Sequence, residues 1–159
     1  MREPPSVCFL PDGRRMHFHD GPIDLILEAF GAIKEVAAAR HAAAKRFATV
    51  LDELCEELPL LRSAMRPGSR FPSGGVARRM ADAVLPFSAR SFITPMAAVA
   101  GAVAEEILES MTSAALLSRA YVNDGGDIHG AVAQIVKCGA RDLLVEALRG
   151  AFRDVLQMH

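Results

Sequence analysis

Ser6-Val7-Cys8-Phe9-Leu10, Pro11-Asp12-Gly13-Arg14 and Arg15-Met16-His17-Phe18-His19 follow one another without a break. Two apolar-rich runs flank an Asp-Gly pair, and that arrangement is a good short hairpin signal. A second turn, Asp20-Gly21-Pro22, leads into Ile23-Asp24-Leu25-Ile26-Leu27-Glu28-Ala29, which reads as a third strand. Residues 6–29 are therefore expected to form an antiparallel meander, the first unit of a sheet.

Outward from this meander the chain turns helical. A long helix is expected from Gly31 to Leu58, with apolar positions at Ile33, Val36, Phe47, Val50, Leu51, Leu54, Cys55 and Leu58. The later ones step by three and four, the period of a one-sided helix, and Pro59 stops it. Pro67-Gly68, Pro72 and Gly74-Gly75 mark an exposed loop over 62–75, and a shorter helix follows to about residue 85. The clearest helix start is Thr94-Pro95, because Thr caps well and Pro at the first helical position gives up an N–H that is unpaired anyway. That helix should reach about Ala115. Arg119-Ala120-Tyr121-Val122 then reads as a short buried strand running into Asn123-Asp124-Gly125-Gly126-Asp127.

From Gly130 to Gln157 a last helix is expected, with Val132, Ile135, Val136, Leu143, Leu148 and Val155 on a broad stripe, although Gly139 and Gly150 each cost about 1 kcal/mol there. The expected fold class is α+β: one domain over residues 1–159, with a small antiparallel sheet packed against several helices.

Composition narrows the function. Half of the 159 residues are apolar but only 6% are aromatic, so the core must be aliphatic. With 18 basic and 19 acidic side chains the net charge is −1, which excludes a general nucleic-acid binder. Cys8, Cys55 and Cys138 are odd in number and widely spaced, a pattern that suits a reducing cytoplasm, and Cys55 is expected to act as a small buried hydrophobe. The longest apolar run, Met96 to Ala104, is far short of the roughly 20 residues that span a bilayer. A cytoplasmic protein without membrane contact is expected.

The most informative constellation joins the helix after Thr94 to the strand after Ala120. Ala97, Gly101 and Glu105 are four apart and share a face, so a small-residue stripe allows close approach to the helix backbone. Gly125-Gly126 at a strand end permits positive φ and removes bulk, which suits a backbone lining a flat ligand. Ordinary helix packing and a plain glycine turn explain the same residues.

Leu10-Pro11-Asp12-Gly13-Arg14, Gly21-Pro22-Ile23-Asp24-Leu25-Ile26, Phe47-Ala48-Thr49-Val50-Leu51-Asp52-Glu53-Leu54, the run from Phe92 to Ala104, and the run from Ala120 to Ile128 stand in this order. Over about residues 6–128 the chain resembles a prokaryotic family of ApbE-like proteins, distant relatives of the FAD:protein FMN transferases. The resemblance implies a flavin site, with FAD or FMN as cofactor, formed by a helix near a Lys-Gly pair and a strand ending in Gly-Gly-Asp. Carried over by position, it implies cofactor contacts from Thr94, Ala97, Gly101, Glu105, Asn123, Gly125, Gly126 and Asp127. Ala100 stands where the transferase lysine would be. Beyond His129 the Asp and Thr or Ser that hold Mg²⁺ in the transferases have no counterpart, and Asp142 and Asp154 do not reproduce that motif. The expectation is a flavin- or nucleotide-binding protein without a complete transferase site. A structural, oligomerising protein that keeps the fold without ligand is the alternative.

Three lesser signals remain. His17 and His19 alternate and would share a strand face, where Cys8 could add a third metal ligand; an exposed strand face explains them equally. Arg62, Arg66, Arg70, Arg78 and Arg79 form an acid-free basic stretch able to grip phosphate, or a solvated loop. Asp52, Glu53, Glu56 and Glu57 read as a wet helix face. No catalytic or metal-binding residues are assigned. A homo-oligomer with the C-terminal helix in its interface is expected, because that helix is broadly apolar and the early sheet leaves an edge open.

Overall fold

The computed structural model describes residues 3–125 and, for their backbone alone, residues 127–129. The expected helix over 130–157, Cys138 and Gly126 lie outside the described residues. Five strands, β1 (Ser6–Phe9), β2 (Met16–Asp20), β3 (Ile23–Phe30), β4 (Arg119–Asp124) and β5 (Asp127–His129), form one antiparallel sheet in the order β1-β2-β3-β4-β5. The meander is as expected, and β5 adds a strand beyond Gly125-Gly126 that the sequence reading lacked. Helices α1 (Ile33–Glu56), α2 (Leu58–Leu61), α3 (Gly75–Val84) and α4 (Val99–Ala114) fill the connection between β3 and β4. The fold is α+β.

The first two turns have separate causes. In the β1–β2 turn, Asp12 Oδ1 accepts hydrogen bonds from the backbone N–H groups of Arg14 and Arg15 at 2.9 and 3.0 Å. Those bonds, led by Arg14 N–H and joined by the Arg15 side chain, hold the Asp12 carboxyl well below the usual carboxylate range. In the β2–β3 turn, Gly21 has φ +55°, and a Cβ there would sit 3.1 Å from Leu51 Cδ2. Only glycine meets both conditions.

One sheet face builds the core. Met16, Phe18, Leu25, Leu27, Ala120 and Val122 point at the helices, where α1 buries Ala39, Ala43, Phe47, Val50 and Leu54. Beside it α4 buries Ala102, Val103, Ala104, Ile107 and Met111. Phe18 and Phe47 meet edge to face at 5.3 Å between ring centroids. The alanines on both helices let backbone and sheet come close, which is how a core with few aromatics fills.

Two expectations about α1 need correction. Cys55 is exposed rather than a core hydrophobe, and Ile33 is 89% exposed. A helix of 24 residues is about 36 Å long, whereas the eight residues of β3 span about 26 Å, so the first turn of α1, before Ala39, overhangs the sheet; Cys55, beside buried Leu54, faces away from the core instead.

Candidate functional site

The chain enters α4 through Thr94, an extended residue, and the 3-10 turn Pro95–Ala98. Thr94 occupies the expected boundary, but its side chain makes no capping bond; instead its carbonyl accepts from Ala97 N–H at 3.0 Å. The helix therefore opens as a tight turn before widening at Val99. Packing differs along its length. Ala97 is exposed, and Met96, Ala98, Val99, Ala100 and Gly101 are only half-buried. From Ala102 onward one face enters the core. The first two turns thus present an apolar surface with no side chain larger than Met. A hollow of about 100 Å³ adjoins their start, lined by Ser63, Met65, Ser69, Arg70, Pro72 and Pro95.

Glu105 lies four residues beyond Gly101, exposed on the same stripe, and is held by Arg79 Nη1 at 3.1 Å. It belongs to an ion network linking three helices. Arg79 of α3 also reaches Glu106 Oε2 at 3.0 Å and pairs with Glu109, while Arg46 of α1 reaches Glu106 Oε1 at 2.7 Å. The Arg46 fork also grips both oxygens of Glu53 at 2.8 Å. Burial works to raise the pKa of Glu106, but hydrogen bonds from Arg46 and Arg79 outweigh it and hold the carboxyl below its ordinary range. Arg79, read from sequence as part of a phosphate-gripping run, is thus engaged by acids contributed by α4. Arg62, Arg66, Arg70 and Arg78 remain exposed.

Glu53 and Glu57 were expected on a wet helix face, and both have structural partners. Glu57 accepts from Ser73 N–H at 2.7 Å and Gly74 N–H at 2.8 Å, just before α3 begins. Ser73 N–H first, and then Gly74 N–H, depress its pKa against a burial effect in the opposite sense. A carboxylate already fills the positive end of this helix, where an anionic ligand would otherwise be drawn.

The last β4–β5 pair is Asp124 with Asp127, and Gly125 stands in the turn that follows Asp124. Gly125 has φ +61° and open space around it, so backbone conformation is what demands glycine there. Asp127 is described by its backbone alone. In β4, Ala120, Val122 and Asp124 are buried, while Tyr121 and Asn123 point to the opposite face. Tyr121 Oη donates to Glu28 Oε2 on that face at 3.0 Å. The structure therefore places Thr94 and Ala97 in the tight turn leading into α4, and Gly101 and Glu105 on α4 itself, which packs against β4 and touches β5. It places Gly125 at the hairpin tip and puts the sheet between the Asn123 side chain and α4.

His17 and His19 do share a face, and Asp24 sits between them. His17 Nε2 is 3.0 Å from both Asp24 oxygens, and His19 Nδ1 is 3.2 Å from Oδ2. The His17 hydrogen bond leads, with help from His19, in lowering the Asp24 pKa against burial. Cys8 pairs with His17 in register. Among the described residues no group of three or more His, Cys, Asp and Glu side chains is spaced to hold a metal ion. Sequence reasoning missed Asp24, and it missed Asp20 and Asp124, both buried on the helix-facing side. Period-two alternation was a usable signal: Met16, Phe18 and Asp20 share one face, as do Ala120, Val122 and Asp124. No helix among the described residues is long and apolar enough to cross a membrane.

A family model described as AbpE bacteria matches residues 7–145. The match runs past Ile128, so the family extends further along the chain than the sequence motifs indicated. No curated protein and no solved structure matches the chain.

Proposed function

The chain belongs to the AbpE bacteria family, and we propose that it is a flavin- or nucleotide-binding protein that holds a flat ring system against the first turns of α4 and transfers nothing. The observation that carries this reading is the surface from Met96 to Gly101, where six consecutive small or apolar residues are left half-buried or exposed at a helix start. Flat heterocycles bind on apolar surfaces bounded by a few polar groups. Thr94 and the neighbouring hollow with Ser63, Ser69 and Arg70 supply such groups at one end. The resemblance to ApbE-like proteins, distant relatives of FAD:protein FMN transferases, supports FAD or FMN as the ligand.

In this reading Ala97 and Gly101 admit the ring to the helix backbone, and Gly125, at the end of β4, lies at its other side; Gly126 and the Asp127 side chain are the further contacts that the resemblance implies. Glu105 holds Arg79 and thereby shapes the rim. Asn123, on the far face of the sheet, takes no part. Ala100 offers no amine where the transferases have lysine, and no step is assigned to Mg²⁺. Incubation with FAD, Mg²⁺ and a threonine-bearing acceptor protein should leave the acceptor mass unchanged. A covalent FMN adduct in the mass spectrum would reverse the conclusion about transfer.

A second reading is favoured by two specific observations: Gly125 acts in a hairpin turn, and Glu105 already has an arginine partner. Both fit a structural protein that keeps the fold without ligand. Absence of flavin binding would select it.

A further inference from the structure

Between Leu58 and Ala104 the chain carries the arginines Arg62, Arg66, Arg70, Arg78, Arg79 and Arg90 against a single acid, Asp82, in a protein whose net charge is −1. Arg79 is engaged by Glu105, Glu106 and Glu109. The others are exposed, and among the described residues none of their side chains has a hydrogen bond or an ion pair. Glu57 feels the field of Arg70, but its two oxygens accept from the Ser73 and Gly74 N–H groups.

Arg70 alone of these free cations lines the hollow beside the start of α4, with Ser69 next to it and buried Met65, Pro72 and Pro95 as apolar walls. Backbone bonds fix this hollow. Met65 N–H donates to Ile93 O at 2.8 Å and ties the loop to the residue before Thr94. Ser69 N–H donates to Arg66 O at 2.9 Å around Pro67-Gly68, where Gly68 has φ +84°, the conformation that a type II turn requires at its third residue. Arg66 N–H donates back to Ser69 Oγ at 2.9 Å. The two hydroxyls therefore differ. Ser63 gives its hydrogen to Pro59 O at 2.8 Å, whereas Ser69 Oγ accepts from Arg66 and, among the described residues, keeps its own hydrogen for another acceptor.

Size and chemistry together select the occupant. The hollow holds about 100 Å³, well below the roughly 300–1,000 Å³ of pockets that enclose a whole small molecule. It has room for one small group and not for a tricyclic ring. A free guanidinium, an available hydroxyl hydrogen and no carboxylate on the walls suit a phosphate, which arginine grips with two parallel N–H donors. Resting on the ring placement given above, we propose that this hollow is the phosphate subsite of the same ligand. Arg70 takes the phosphate oxygens and Ser69 Oγ donates to one of them. The ring lies on Met96 to Gly101, directly after Pro95, which lines the hollow. Arg62, Arg66, Arg78 and Arg90 add the positive potential that draws the anion in. The ligand class is thus a flavin phosphate ester rather than the free ring.

Calorimetry on the full chain with FMN and with riboflavin, the same ring without phosphate, tests this. At low salt FMN should bind about tenfold or more tightly than riboflavin, the scale of one hydrogen bond to a charged group. Arg70→Gln should bring FMN down to the riboflavin value with unchanged far-ultraviolet circular dichroism. Arg90→Gln, outside the hollow, should keep most of the FMN advantage. Equal affinity of the parent for the two compounds overturns the phosphate subsite and leaves the ring placement standing. Equal losses in Arg70→Gln and Arg90→Gln also overturn it, because diffuse charge then explains the preference. Binding of neither compound overturns the ring placement instead. In that case the phosphorus resonance of inorganic pyrophosphate decides for the hollow: broadening by the parent that Arg70→Gln abolishes supports a phosphate site, and an unbroadened line overturns it.

Discussion

Arg46 Nε of α1 lies 2.7 Å from Glu106 Oε1 of α4, and this pair fastens the two helices that cover the sheet. The second Glu106 oxygen takes Arg79 of α3, so one carboxylate joins three helices. Glu106→Gln keeps the shape and removes the charge. It should lower stability by about 1–2 kcal/mol at pH 7, a figure discounted because the pair is partly solvated. Urea denaturation compares the two proteins directly.

The same carboxylates set the acid limit. Glu53, Glu57 and Glu106 all have folded pKa values below the ordinary one. Their stabilisation is therefore full above the unfolded value of about 4.3 and is lost as pH falls through the lower folded values. Stability should decline below about pH 4.3, and Glu106→Gln should lose less of it over that range than the parent. Denaturation midpoints between pH 3 and pH 7 would expose an opposite slope.

Gly13 and Gly21 form a matched comparison, since both have left-handed backbones, at φ +67° and +55°. A Cβ at Gly13 meets open space, whereas one at Gly21 meets Leu51 Cδ2 at 3.1 Å. Gly13→Ala should cost about 1 kcal/mol from the backbone alone, and Gly21→Ala more. Equal melting shifts for the two variants would show that Leu51 yields freely.

Glu57 substitutes for the missing side-chain cap of α3. Its replacement by alanine leaves Ser73 and Gly74 N–H groups to solvent and should cost about 1 kcal/mol. Faster amide exchange at Ser73, Gly74 and the first turn of α3, with α1 unaffected, is the expected pattern.

Alternation and turn glycines made the meander legible, because β2 and most of β3 bury every second residue, although β1 is exposed throughout, and both turns carry a glycine with positive φ. α1, α3 and α4 were legible from spacing together with their proline and glycine bounds, whereas the short α2 runs through Pro59, where a helix stop was expected. What escaped was tertiary. Ile33 fits the apolar pattern of α1 but precedes its first buried residue, Ala39, and Cys55 follows buried Leu54 yet faces away from the core, which no local pattern records. Asp24 reaches His17 and His19 across a strand boundary, and Arg79 finds its acids on α4, 26 to 30 residues further along. Asn123 looked like a neighbour of Gly125 in a ligand loop, and the pleat of β4 sends it to the other face.

In the proposed function the half-exposed start of α4 holds a flavin or nucleotide. Calorimetric titration of the full chain with FAD and FMN tests it most directly, run beside Gly101→Leu, which fills the helix surface while favouring the helix. Saturable binding by the parent, loss of that binding in Gly101→Leu, and unchanged helix content in both are expected. No heat of binding from the parent up to high micromolar protein, or equal binding by Gly101→Leu, would contradict it.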